Sequence, residues 1–196
     1  MRADLKIVTD LIADGARVLD LGCGDGELLA HLRDTKHTHG YGLEIDPAQI
    51  TGCLTRGVNV IEHDLNMGLA RFRDASFDVV VMAETLQVVR RPDLVLTEML
   101  RIGRECVVTF PNFGHWRCRL QLATRGRMPV SRHLPHRWYD TPNIHLCTFV
   151  DFEQLCGELQ LNIVERFVVD SDFGSRFLIN RFPNLFGTGA FYRLSR

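Results

Sequence analysis

Short apolar runs alternate with segments of helical periodicity along most of the chain. The runs predict strands at residues 18–21, 58–65, 77–82, 106–110, 163–169 and 190–194, with one further strand ending at Glu44. Apolar residues at helical spacing predict helices at residues 5–12, 26–32, 47–56, 93–102 and 152–161 and another through 120–122. Strands and helices that alternate with short links are typical of a doubly wound, mostly parallel α/β sheet.

The regular alternation stops after the fifth predicted strand. Residues 126–143 lack periodicity and carry prolines at positions 129, 135 and 142, as lids and binding loops often do. We therefore expect a single domain over residues 1–196, in which residues 111–148 form a lid or a partner-binding insertion. No clear helix is predicted between the last two strands, so an antiparallel hairpin at the sheet edge is expected.

The first strand leads into three alternating glycines in the segment DLGCGDG, residues 20–26. Glycine lets a backbone approach a ligand closely and adopt positive φ, so this turn is typical of a cofactor loop. A dinucleotide site has the spacing G-x-G-x-x-G, whereas Gly22, Gly24 and Gly26 follow G-x-G-x-G. Asp20 and Asp25 would repel a pyrophosphate and attract the sulfonium and ammonium of S-adenosylmethionine. A glycine-rich turn without a ligand is the alternative.

Further acids lie where the next strands end. Glu44 and Asp46 both follow the second strand and compete for the ribose hydroxyls of the cofactor. Because Asp46 precedes Pro47 and can cap the next helix, Glu44 is the expected ligand. Asp64, after the third strand, is either an acceptor for the adenine amino group or a solvated loop carboxylate. The predicted cofactor-binding residues are Asp20, Gly22, Cys23, Gly24, Asp25, Gly26, Glu44, Ile45, Asp64, Leu65 and Ala83.

Composition narrows the functional class. The six cysteines form no C-x-x-C pair and most lie in apolar runs, which argues against a zinc site and a secreted disulfide framework. We expect no metal site and buried thiols in a reducing compartment. No run approaches the ~20 apolar residues of a membrane span, and the first residues lack a signal-peptide core, so a soluble cytoplasmic protein without membrane contact is expected.

Charge is unevenly distributed although the net charge is −1. Residues 106–139 contain six arginines, three histidines and both tryptophans but no acid. The sequence pI of about 6.7 is far below that of a typical nucleic-acid-binding domain, which argues against nucleic acid as a partner. An acidic protein surface, an anionic substrate or simple solvation of a basic helix face remains open.

Several segments together resemble the MetW family of methionine-biosynthesis proteins over nearly the whole chain. The glycine loop and the segment EIDP at residues 44–47 are shared across class I methyltransferases. The resemblance also includes TLQ (85–87), FPNFGHWR (110–117), GRMPV (126–130) and WYDTPNIHLCT (138–148). Within these, PNFGHW (111–116) and WYDTPNIH (138–145) are far more particular. Residues 182–189 fit the family pattern least.

The resemblance implies a Rossmann-like class I methyltransferase fold, with a seven-stranded sheet. It also implies binding of S-adenosylmethionine or S-adenosylhomocysteine and a role beside homoserine O-acyltransferase in methionine synthesis, supporting that enzyme through a complex. The residues expected to contact this partner belong to the basic, aromatic region: Asn112, Trp116, Arg117, Arg127, Trp138 and Tyr139.

The sequence does not decide whether the protein transfers a methyl group. The segment after the fourth strand lacks the Asn/Asp-Pro-Pro-Tyr/Phe loop that grips amine substrates. Glu84, His115 and His145 are candidate bases, each with a structural role or a partner contact as the alternative. The alternative function is an active S-adenosylmethionine-dependent methyltransferase whose small anionic substrate is held by the arginines. RNA methylation, a third interpretation, would require a broader basic surface.

Overall fold

One seven-stranded sheet organises the protein in the computed structural model, which describes residues 3–131, 134–169, 179 and 181–196. The strands are β1 Arg17–Leu21, β2 His39–Glu44, β3 Val60–Glu62, β4 Phe77–Ala83, β5 Gly103–Pro111, β6 Asn162–Val169 and β7 Gly189–Ser195. The helices are α1 Ala3–Asp10, α2 Glu27–Lys36, α3 Pro47–Thr55, α4 Pro92–Ile102, α5 Trp116–Arg125, α6 Phe149–Glu158 and α7 Pro183–Phe186. Two 3₁₀ turns, Leu65–Met67 and Leu86–Val88, follow β3 and β4.

The strand order is β3-β2-β1-β4-β5-β7-β6. All neighbouring pairs among strands β1 to β5 are parallel, whereas β7 is antiparallel to both β5 and β6. The predicted mostly parallel sheet with an antiparallel edge hairpin is therefore confirmed. The strand order reverses between β1 and β4, and this is the place where open α/β sheets bind their ligands, at the carboxyl ends of the strands.

Alternate residues of the central strands pack on opposite faces of the sheet. Val79 and Val81 of β4 join the cluster that contains α1 and α2, while Val80 and Met82 join the cluster that contains α4 and α6. On the second side, Phe110 stacks on Tyr192 with a centroid distance of 6.0 Å. Burial of both faces explains why residues 79–83 of β4 are an unbroken apolar run in the sequence.

Some predicted boundaries were wrong, for local reasons. Helix α6 begins at Phe149, not at residue 152, because Thr148 and Asp151 form a capping box. Strand β3 spans three residues instead of eight, since Asp64 caps the 3₁₀ turn that follows it. The link before β7, which was predicted to lack a helix, contains α7 with Pro183 at its start.

Five of the six cysteines are buried and Cys147 is partly buried. This matches the prediction that they pack as small apolar side chains. Within the described ranges, no helix is long and apolar enough to cross a bilayer.

An ion pair joins the two central strands at their amino ends. The backbone N–H and the guanidinium of Arg17, on β1, donate to the carboxylate of Asp78, on β4, at 2.9 to 3.1 Å. These hydrogen bonds from Arg17 lower the pKa of Asp78 to about 2. Because the folded-state pKa lies below that of the unfolded chain, the contribution to stability is complete above about pH 4. It is lost as the pH falls towards 2.

We expect Asp78→Asn to reduce the rise in unfolding free energy between pH 2 and pH 4. Urea denaturation at several pH values in this window measures the slope. Adding Arg17→Gln to Asp78→Asn should leave the reduced slope unchanged, because the carboxylate that titrates is already absent. An unaltered slope in Asp78→Asn would contradict the assignment.

Candidate functional site

The glycine loop lies at the carboxyl end of β1, where the strand order reverses. Gly22, Gly24 and Gly26 all have positive φ, at 72°, 55° and 77°. A Cβ built on Gly22 would lie 2.6 Å from Oγ1 of Thr85, which follows β4. A Cβ on Gly24 would meet only Oε1 of Gln49 within 4 Å, at 3.8 Å. Gly22 therefore allows the loop to pack on the segment after β4, while the backbone at Gly24 faces open space in which a ligand can approach.

Glu44 connects the end of β2 to this loop. Its Oε2 accepts the N–H of Gly24 at 2.9 Å. Its Oε1 accepts the N–H groups of Ile45 and Asp46 at 2.8 and 3.0 Å. Three backbone donors fix the carboxylate, and Oε2, which accepts only one of them, keeps a further lone pair that could receive a ribose hydroxyl. The Asp46 side chain caps α3 through the N–H of Ala48, as predicted for it.

Asp20 and Cys23 form the buried part of the loop. Asp20 is 2% exposed and Cys23 8% exposed. Burial, followed by the nearby charge of Asp20, raises the pKa of the Cys23 thiol. The Cys23 sulfur lies 3.7 Å from that of Cys53 on α3, and the Cys53 thiol donates to the carbonyl of Gly24. A thiol held protonated in this way packs the loop and is a poor nucleophile.

Asp25, which was expected to attract the cationic groups of the cofactor, is paired with an arginine of this chain. Its Oδ2 lies 2.5 Å from Nη2 of Arg56, which follows α3, and the Arg56 Nε donates to the Asp25 carbonyl. The Arg56 side chain lowers the pKa of Asp25 and also balances its charge. Asp25 therefore adds little net charge to the loop. Sequence reasoning missed Arg56, because no motif indicates a pairing over 31 residues.

The remaining predicted cofactor residues surround the loop at the ends of neighbouring strands. Ile45, after β2, is 57% exposed, so an apolar side chain is available there to a flat nucleobase. The Asp64 Oδ1 accepts both the backbone and side-chain N–H of Asn66, which holds it in its own turn. Leu65 is buried beneath that turn, and Ala83 is the last residue of β4. No group of three metal-ligating side chains occurs in the part of the chain that the structure describes.

The three candidate bases have different surroundings. Glu84 is exposed and has a positive φ of 52°, and its N–H donates to the Thr109 carbonyl at 3.0 Å. His115 is 5% exposed and caps α5, its Nδ1 accepting the N–H of Arg117. The exposed His145 has Nε2 3.3 Å from the Arg90 carbonyl. Glu84 and His145 thus flank the turn after β4, whereas His115 has a structural contact as a helix cap.

The predicted partner residues separate into a buried or half-buried group and an exposed group. Asn112 is 3% exposed and donates to the carbonyls of Asn184 and Gly187, so its contacts are internal. Trp138 and Tyr139 are 75% and 61% exposed and pack edge to face. Trp116 is half-buried, with the exposed Arg117 over its ring at 5.4 Å.

The exposed group forms what we call the aromatic–basic surface: Arg125, Arg127, Met128, Val130, Arg137, Trp138 and Tyr139. Among the described residues, Arg125 and Arg127 have no salt-bridge partner. Exposed aromatic rings beside unneutralised arginines are the composition of a protein-binding surface. Arg132 lies outside the described residues.

Gly22 packs so closely on Thr85 that any side chain at position 22 should destabilise the protein. Gly22→Ala should lower the free energy of unfolding by about 1–3 kcal/mol more than Gly15→Ala, because it adds a steric clash to the cost of positive φ. Gly15 is the matched control, since its φ is 71° and a Cβ there would meet nothing within 4 Å. Urea denaturation of the two variants measures the difference. Equal losses would show that Thr85 does not restrict the loop.

Comparison of the fold with solved structures finds class I methyltransferases. A SAM-dependent methyltransferase from Archaeoglobus fulgidus superposes with a TM-score of 0.72 at 18% identity, covering 99% of this chain and 92% of that one. An S-adenosylmethionine-dependent methyltransferase from Mesorhizobium loti superposes with a TM-score of 0.70 at 16% identity, covering 100% and 98%. These likenesses establish the Rossmann-like class I methyltransferase fold.

Comparison of the sequence with known proteins identifies the family as well as the fold. A curated relative from Rhodopirellula baltica, named bifunctional methionine biosynthesis protein MetXA/MetW, is 37% identical over 194 residues. The match covers 94% of this chain and 31% of the relative, so the chain spans about a third of that protein's length. The family model described as "Methionine biosynthesis protein MetW" matches residues 2–194. With nearly every residue inside that match, the chain belongs to the MetW family.

Proposed function

We propose that the chain is an adenosyl-ligand-binding protein of methionine biosynthesis that associates with homoserine O-acyltransferase and supports its activity. The observation that carries the ligand part is the Glu44 carboxylate, which is held by three backbone N–H groups beside the glycine loop. Family membership supports the pathway.

The ligand is S-adenosylmethionine or S-adenosylhomocysteine. Glu44 Oε2 would accept a ribose hydroxyl, and Asp20 would supply negative charge opposite the ammonium and sulfonium groups. The exposed Ile45 would contact the adenine ring, while Asp64 keeps its Oδ2 for the adenine amino group. A bound S-adenosylmethionine supplies an activated methyl group. A pyrophosphate-containing dinucleotide fits less well, because the negative charges of Asp20 and Glu44 would repel the pyrophosphate.

We expect calorimetric titration to detect binding of S-adenosylmethionine or S-adenosylhomocysteine, and Glu44→Gln to weaken that binding by roughly 10- to 100-fold. Loss of a hydrogen bond to a charged group costs about 1.5–3 kcal/mol, which gives this range. Glu62→Gln is the control, because Glu62 lies beside Glu44 in register on β3 and is exposed. Failure of the unaltered protein to bind either compound would refute the ligand proposal.

The partner is proposed from the curated relative and from the aromatic–basic surface. The name of that relative pairs MetXA with MetW in one protein, which would keep the two parts together. The aromatic–basic surface offers this chain a means to associate with a separate enzyme. Exposed tryptophan and arginine are the residue types that most often dominate binding energy in such surfaces.

Co-purification with homoserine O-acyltransferase, followed by titration, tests this association. Trp138→Ala should weaken the complex by roughly 30-fold, as expected for loss of about 2 kcal/mol at an aromatic anchor. Leu54→Ala is the control, since Leu54 is 65% exposed on α3, outside the aromatic–basic surface. If the acyltransferase neither binds nor changes its rate in the presence of the chain, the partner proposal is wrong.

Methyl transfer to a small molecule is the second candidate function, and one cavity favours it. A cavity of about 160 Å³ lies beyond β4 and β5, lined by Leu86, Gln87, Phe110 and His145 among others. A cofactor at the glycine loop would have its reactive end near the residues after β4. Transfer of labelled methyl groups to a metabolite extract would support this function, and its absence would favour the accessory role alone.

A further inference from the structure

Residues 84–88, which we call the β4 exit segment, begin with a strained residue. Four non-glycine residues in the described part of the chain have positive φ: His37, Ala75, Glu84 and Gln160. His37 and Gln160 follow α2 and α6, and Ala75 lies in a turn, where such a conformation is common. Glu84 instead directly follows β4. A non-glycine residue held in this region is often part of a switch or binding site.

On one side, the β4 exit segment packs against the glycine loop. Thr85 is 8% exposed, and its hydroxyl and methyl groups occupy the space where a Gly22 Cβ would be. The Glu84 N–H donates to the carbonyl and Oγ1 of Thr109 on β5, so the start of the segment is anchored to the sheet. A ligand that orders or displaces the glycine loop therefore acts directly on Thr85.

On the other side, the same segment holds residues 134–147, which we call the docking segment because it includes Trp138 and Tyr139. The Gln87 carbonyl accepts the N–H groups of both Ile144 and His145, at 2.9 and 3.1 Å. The Gln87 side chain is 7% exposed, and its Nε2 donates to the Glu84 carbonyl at 2.7 Å. Gln87 thus contacts the docking segment through its backbone carbonyl and Glu84 through its side chain.

We propose that the β4 exit segment couples adenosyl-ligand binding at the glycine loop to the docking segment, with Glu84 as the hinge. This inference rests on the proposed function and adds a regulatory route to it. When the ligand fixes the loop against Thr85, the backbone of Glu84 is held at positive φ and the Gln87 carbonyl keeps Ile144 and His145 in place. Without that support, the strained residue relaxes and the two amides are released. The ligand thereby sets how well the surface around Trp138 is ordered for a partner.

Amide hydrogen exchange at Ile144 and His145 tests this coupling directly. We expect saturating S-adenosylhomocysteine, with saturation verified by calorimetry, to slow exchange of these two amides by roughly tenfold. In Glu84→Gly the change should fall to less than about threefold. Glycine adopts positive φ without strain, so the conformation at position 84 no longer depends on whether the ligand is bound. Gln160→Gly is the matched control, since it alters another positive-φ residue outside the β4 exit segment, and it should keep the full change.

Thr85→Ala provides a second variant that does not alter the strained residue. It removes the side-chain atoms packed at Gly22 and should also reduce the ligand-dependent change in exchange. If the ligand binds the unaltered protein without affecting either amide, the coupling is overturned while the proposed function stands. If Glu84→Gly retains the full change, Glu84 is not the hinge. If neither adenosyl compound binds, the proposed function fails and this inference fails with it.

Thermodynamic linkage gives an independent check. Whatever factor S-adenosylhomocysteine applies to the affinity for homoserine O-acyltransferase, the acyltransferase must apply to the affinity for S-adenosylhomocysteine. Titrations in both orders should give equal factors above 1 for the unaltered protein and for Gln160→Gly, and a factor near 1 for Glu84→Gly. A factor of 1 in the unaltered protein would contradict the coupling.

Discussion

The candidate site depends on the hydrogen bond between the Glu44 carboxylate and the Gly24 N–H, which fixes the loop after β1 to the end of β2. Without an acceptor at this position, the N–H of Gly24 would lose its side-chain partner, and the loop would be attached to β2 only through the Gly22 and Cys23 N–H groups. The backbone donors of Ile45 and Asp46 keep the carboxylate in place, so the acid is positioned before any ligand arrives. Such preorganisation lowers the ordering cost of binding.

The sequence predicts negative charge at the glycine loop from Asp20 and Asp25, and the structure pairs the second of these acids with an arginine. Asp20 lies buried at the end of β1, where its field is weakly screened. Asp25 is half-exposed and paired with Arg56, so its contribution at a distance is small. A pairing between a loop residue and a residue beyond the next helix follows from packing of α3 on the loop, and local sequence contains no sign of it.

The motif at residues 110–117 has a different role at each end. Asn112 and His115 are buried and organise the turn into α5, whereas Arg117 reaches the surface. A distinctive sequence segment therefore includes residues that shape the insertion as well as residues that could contact a partner. The exposed aromatic–basic surface lies mainly in residues 125–139, where the sequence lacks acids.

The sequence by itself determined the alternation of strands and helices, the glycine loop, the acid at Glu44 and the antiparallel end of the sheet, because each depends on local periodicity or residue type. Tertiary structure alone decided that β7 lies between β5 and β6, that Arg56 neutralises Asp25, and that Thr85 packs on Gly22. It also decided that the turn after β4 holds Ile144 and His145 through Gln87. The physical reason is that these contacts join residues far apart in the chain, which approach each other only when the sheet and its covering helices are packed.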